Sequence, residues 1–141
     1  MNLVNKYQNK RWTAKVIDEF THDLFLENRM KTWHLDPEKV KDALKANQEE
    51  LDFTAACSIV YRIYGEHTGK ELQWIGDKNP HYALFSKDLI NIFPDCKFIF
   101  ITRDFRDNIL SYQKVPFDMA DVTSLAYRWT YYNKGILRMQ E

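Results

Sequence analysis

Apolar residues between positions 11 and 25 recur at helical spacing. Trp12, Val16, Phe20 and Leu24 fall four apart and Ile17 joins them, which predicts a helix over residues 11–25. Residues 33–35 read as a short extended link. Asp36-Pro37-Glu38 then opens a short polar helix to about residue 46, with Asp36 as N-cap and Pro37 at the first helical position. A stronger helix is predicted over residues 53–67, where Phe53, Ala56, Cys57, Val60, Tyr61 and Tyr64 make one stripe. Asp52 suits its N-cap and Gly69 its stop.

Residues 72–76 read as a short strand, followed by a turn at Asp77-Lys78-Asn79-Pro80. A helix over residues 81–93 follows, with Tyr82, Phe85, Leu89 and Phe93 inward, and Pro94-Asp95 breaks it. The apolar run Phe98-Ile99-Phe100-Ile101 predicts a buried strand over residues 97–102. A helix over residues 105–113 comes next, with Asp104 as cap and Asp107 at its third position, both acids facing the positive helix end. Val115-Pro116 ends it. The last helix is expected to begin near Asp118 and run towards Glu141, burying Val122, Leu125, Ala126, Trp129, Tyr132 and Ile136.

The strand-helix-strand order over residues 72–102 implies a parallel pair with a right-handed crossover, hence an α/β fold. Both loops leaving those strands would open on one sheet edge, with Lys78 in the first and Arg103 in the second. That edge, beside a helix N-terminus, favours an anion, so a phosphate-bearing ligand is the first expectation. Arg103 and Ser111 lie eight residues apart. If the chain carries Arg103 back over the helix, its guanidinium fork and the Ser111 hydroxyl reach one phosphate. The plainer alternatives are an Arg103 paired with Asp104 or Asp107, a Lys78 paired with Asp77 or Asp88, and a Ser111 that is only a small residue on an amphipathic helix.

Composition narrows the possibilities. The 141 residues are 45% hydrophobic and 28% charged, as in a globular domain. Lys+Arg and Asp+Glu are both 20, so nothing predicts general attraction to nucleic acid. An anion site must therefore come from local placement of charge. Cys57 and Cys96 make no disulfide framework or metal set, and both are expected to be buried free thiols. The N-terminal stretch lacks an apolar signal core, and no apolar run approaches a membrane span, so a soluble, cytoplasmic chain is expected.

Gly76-Asp77-Lys78-Asn79-Pro80, followed by Phe93-Pro94-Asp95-Cys96-Lys97 and then Thr102-Arg103-Asp104-Phe105-Arg106-Asp107 with Ser111, resembles the sulfotransferase family. The pattern is most similar to its bacterial and Golgi-type branches, and Tyr127-Arg128-Trp129 is similar to the family helix that follows. The resemblance implies a sulfuryl transferase that uses 3′-phosphoadenosine 5′-phosphosulfate as donor, without a metal. It implies a partial P-loop-like three-layer fold with a parallel sheet and flanking helices. It assigns Arg103 and Ser111 to the donor's 3′-phosphate and Lys78 to catalysis, offsetting charge on the leaving phosphosulfate. The acceptor would be a small molecule or carbohydrate bearing a hydroxyl or amine.

Phe105 stands where the family pattern has proline, and Asn79 where it has threonine; Asn79 is still expected to cap the helix from Pro80. No Gly/Ser/Thr-rich loop for the 5′-phosphosulfate is found, and the family's later part is not seen. Residues 1–141 are therefore expected to be an internal part of a sulfotransferase domain, inactive alone. His81 and, on the acceptor side, Glu19 and Glu27 are conceivable general bases, while Tyr7, Trp33 and Trp74 are conceivable cleft linings. Two other classes stay open: a non-catalytic nucleotide- or partner-binding module, and a nucleotide kinase relative.

Overall fold

Short polar side chains set where the helices begin. The computed structural model of the chain describes residues 3–69, 73–115 and 121–138, which fall into two compact units divided after Gly76. In the first unit, α1 spans Leu3–Tyr7 and α2 spans Ala14–Leu26, with Thr13 accepting from the Val16 amide. α3 spans Pro37–Ala46, capped by Asp36 as the sequence predicts, and α4 spans Phe53–His67, capped by Asp52. Beyond α4, Gly69 adopts φ +68, a left-handed conformation that glycine takes without steric cost. The expected extended link at residues 33–35 is instead the end of a 3-10 turn, Met30–Thr32, with Trp33 in helical and His34 in left-handed conformation.

Tyr7, Trp12, Phe20 and Phe53 form a chain of ring contacts at 5.0–6.3 Å that joins α1, α2 and α4. Ile17, Val40, Leu44 and Ala56 are fully buried around it. Tyr7 is fully buried too, so it lines no cleft, whereas Trp74 is exposed. Within this core the Asp23 carboxylate accepts from Lys6 Nζ at 2.5 Å and from the Tyr7 hydroxyl at 2.5 Å. The Lys6 hydrogen bond, then that of Tyr7, holds the Asp23 carboxyl below its ordinary value. Cys57 is half-buried on α4, and burial pushes its thiol up to about 12; Cys96, expected to be buried, is exposed.

In the second unit, a 3-10 helix, Pro80–Leu84, leads into α5, Ser86–Ile92. The single helix expected over residues 81–93 is thus broken at Phe85, whose φ −117 and ψ 22 are not helical. The break rotates the buried face to Ala83, Ser86 and Ile92, leaving Phe85 exposed. α6 spans Phe105–Tyr112, capped by Asp104. α7 spans Val122–Leu137, capped by Asp121; the starts and ends expected at Pro116, Asp118 and Glu141 lie outside the described residues, as does Leu72. Leu125 is buried, and Ala126, Trp129, Tyr132 and Ile136 are half-buried, but Val122 is exposed.

The expected α/β fold, a partial P-loop-like three-layer arrangement with a parallel sheet, is overturned: the described residues contain helices and turns but no strand or bridge. The reason lies in the backbone. A strand persists when its N–H and C=O groups pair with a neighbour. Residues 97–103 have no backbone-to-backbone hydrogen bond among the described residues. Their side chains do alternate, with the Phe98 and Phe100 rings stacked at 6.0 Å, but Ile99 and Ile101 are each 88% exposed. The run keeps the two-residue period without the ladder. Among the described residues, no helix is long and apolar enough to cross a membrane.

α7 packs on the Pro80–Leu84 turn through Gly135. A Cβ there would sit 2.3 Å from the Ala83 carbonyl oxygen, far inside van der Waals contact with backbone. Gly135→Ala should therefore destabilise this unit by about 1–3 kcal/mol, read as a lowered midpoint in thermal unfolding. The first unit carries a pH signature. Because Asp23 titrates below its ordinary value when folded, its stabilisation is complete above the ordinary carboxylate range and is lost as pH falls through the lowered value. Denaturant unfolding followed by tryptophan fluorescence should show wild type losing more stability than Asp23→Asn as pH is lowered across that window.

Candidate anion-binding site

Two arginines and two aspartates surround the start of α6, and local geometry sorts them. Asp104 caps the helix, its Oδ1 accepting from the Arg106 amide at 2.9 Å. Its two oxygens also take the Arg106 guanidinium as a fork, at 3.0 Å to Nε and 2.8 Å to a terminal nitrogen. The Arg106 hydrogen bonds hold the Asp104 carboxyl at about 2, so it is ionised at neutral pH and engaged. Arg106 is thereby neutralised locally.

Arg103 is left with Asp107, whose Oδ2 lies 3.9 Å from its Nε, beyond hydrogen-bond distance. Its side chain is 59% exposed. The sequence alternative in which Arg103 pairs with Asp104 is thus closed, and the one with Asp107 is loose. Asp107 and Ser111 are four residues apart on α6 and share one face. The guanidinium thus lies near Asp107 in the first turn of α6, one turn before Ser111, which is exposed. An exposed cation and a hydroxyl so placed suit a phosphate.

Lys78 sits in the turn before Pro80. Asp77 accepts the Lys78 backbone amide at 2.7 Å and also the Tyr82 hydroxyl. Asn79 accepts the His81 amide at 3.0 Å, so it caps the Pro80 turn as the sequence predicts. Among the described residues no carboxylate pairs with the Lys78 ammonium, which is exposed. His81 is not free: its Nδ1 lies 2.5 Å from the Tyr132 hydroxyl. Glu19, in the first unit, is paired with Lys10 and Lys15.

Sequence reasoning missed how the two turns are held. The Trp129 indole N–H donates to the Arg103 carbonyl at 3.0 Å, and the Thr102 hydroxyl donates to Asn133 Oδ1 at 3.2 Å. Tyr132 meets His81, and Gly135 abuts Ala83. Trp129 and Tyr132 read as core positions, and Asn133 carried no signal. The usable clue was three hydrogen-bonding side chains at i, i+3 and i+4. The structure therefore brings Arg103 near Asp107, one turn before Ser111 on α6, and docks both the Lys78 and Arg103 turns on α7.

One surface depression on this unit is lined by Thr123, Ser124, Tyr127 and Arg128, and another by residues that include Ala83, Lys87 and Gly135. Neither includes Lys78, Arg103 or Ser111. Among the described residues no cluster of three His, Cys, Asp or Glu side chains forms.

Comparison with known proteins gives one result. The model of the sulfotransferase family matches residues 4–141. Searches of curated proteins and of solved structures gave no significant match.

The geometry around α6 makes a local prediction. Asp104→Ala removes both the cap and the Arg106 clamp, so the amides of residues 106–108 should exchange hydrogen measurably faster by mass spectrometry. Asp104→Asn, which keeps a capping oxygen, should exchange at close to the wild-type rate.

Proposed function

The chain belongs to the sulfotransferase family, and from that premise we propose that it contributes a donor site for 3′-phosphoadenosine 5′-phosphosulfate. Sulfur passes to an acceptor hydroxyl or amine. A bond from the acceptor atom to sulfur forms as the bond from sulfur to the donor's 5′-phosphate oxygen breaks. The electron pair stays on that oxygen, and the acceptor's proton leaves to a base. Family membership leaves the nucleotide-kinase alternative without support.

The observation that carries this reading is the sorting of charge at α6. Arg106 is consumed by Asp104, while Arg103 is exposed and only loosely paired with Asp107, one turn before Ser111 on α6. Arg103 supplies two or more N–H donors to the 3′-phosphate, and Ser111 adds a hydroxyl. Lys78 is an exposed ammonium without a carboxylate partner among the described residues. Its part is to place positive charge where the 5′-phosphate oxygen becomes negative. The acceptor is a small molecule or carbohydrate that presents a nucleophilic oxygen or nitrogen.

Calorimetric titration with adenosine 3′,5′-bisphosphate, the donor without its sulfuryl group, tests the site. Arg103→Ala should weaken binding about 10- to 100-fold and Ser111→Ala about fivefold. Lys78→Ala should reduce bisphosphate affinity while leaving adenosine 3′-monophosphate binding unchanged. Unaltered bisphosphate affinity in Arg103→Ala would sink the reading.

A further inference from the structure

The proposed site needs two cations from turns 25 residues apart, at positions 78 and 103, to meet one nucleotide. Neither turn holds itself in place. Residues 97–103 have no backbone-to-backbone hydrogen bond among the described residues, so the position of Arg103 must come from side-chain contacts. The turn before Pro80 is tight but short, and its register relative to anything else depends on what it packs against.

Both turns are fastened to the same stretch of α7. The Trp129 indole donates to the carbonyl of Arg103 itself, and Asn133 takes the hydroxyl of Thr102. Asn133 is held in turn, its amide donating to the Trp129 carbonyl at 2.8 Å. Phe105, on the far side of Asp104, packs its ring edgewise on Trp129 at 6.1 Å. The residue found where the family pattern has proline thus adds a second contact to the same indole. On the other side, Tyr132 meets His81 three residues past Lys78, and Gly135 abuts Ala83. Residues 129 to 133 span about 6 Å of helix axis, a length over which an α-helix is rigid. Trp129, Tyr132 and Asn133 are all half-buried, although the hydrogen bonds they make to the two turns are solvent-exposed.

We propose that Trp129, Tyr132 and Asn133 are positioning residues that fix the spacing between the Arg103 turn and the Lys78 turn, so that one nucleotide bearing phosphates at both its 3′ and 5′ positions engages both. This rests on the donor-site reading above. None of the three touches the nucleotide; each acts through a turn. A displacement of an ångström at either turn spoils the contact at one phosphate while leaving the other intact. The two sets of contacts made by α7 should therefore be separable by ligand. Trp129 and Asn133 serve the 3′ side through Arg103, and Tyr132 serves the 5′ side through the Lys78 turn.

The test is calorimetric titration of the full chain with adenosine 3′,5′-bisphosphate and with adenosine 3′-monophosphate. Trp129→Phe removes the indole donor and keeps an aromatic ring. It should weaken both ligands about five- to tenfold, and that loss should vanish in an Arg103→Ala background. Tyr132→Phe should weaken the bisphosphate by a similar factor and leave the monophosphate unchanged. Should Trp129→Phe fail to fold, Asn133→Ala carries the same comparison, since it frees Thr102 without disturbing the indole. Equal losses with and without Arg103, or no loss at all, would overturn the positioning role while the effect of Arg103→Ala itself stands. Arg103→Ala with unaltered bisphosphate affinity is the different failure: it removes the nucleotide site and this inference with it.

Discussion

The close approach of α7 to the Ala83 carbonyl at Gly135 is the constraint from which the second unit takes its form. No side chain fits between the two backbones. With that contact made, Tyr132 lies one turn back along the helix, within reach of His81. A further turn towards the N-terminus brings Trp129 under the Arg103 carbonyl and Phe105. In place of a sheet, one helix collects the irregular segments, and the absence of a side chain at one position sets how closely they gather. Hydrogen bonds are well suited to this task, because they fix direction as well as distance.

Charge is organised by the same economy of partners. The chain as a whole is neutral, so a positive site can exist only where a cation escapes its neighbours. At α6 this happens because Asp104 engages Arg106 through both its oxygens and caps the helix at the same time. A carboxylate held at about 2 stays charged across the physiological range, so the clamp does not loosen near neutrality. Arg103 is left as the more weakly paired of two adjacent arginines.

What could be read from the sequence follows the range of the interaction concerned. Asp36 before Pro37, Asp52 before Phe53, Asn79 before Pro80 and Asp104 before Phe105 were all legible, because a cap acts on amides two or three residues away. The stripe Ile17, Phe20 and Leu24 was legible for a similar reason. The run over residues 97–102 was not, because a short apolar run names a strand but not the neighbour that must complete it. The helix over residues 81–93 failed at Phe85, where packing of Ala83 against Gly135 selects a different buried face. In the candidate site, Arg103, Ser111 and Lys78 were found through a motif. The structure adds that Arg103 lies within 3.9 Å of Asp107 in the first turn of α6. The α7 anchors escaped notice because Trp129 and Tyr132 look like core in one dimension, and their polar tips matter only when two distant turns arrive beside them.

The two cysteines differ in a way that has a practical use. Burial lifts the Cys57 thiol to about 12, so near neutral pH almost none of it is thiolate. Cys96 is exposed and stands immediately before the segment that leads to Arg103. A thiol-reactive fluorophore or spin label would therefore attach to the natural sequence at one place, with no cysteine to remove. That place is seven residues from the arginine whose position is in question, which makes the protein its own reporter.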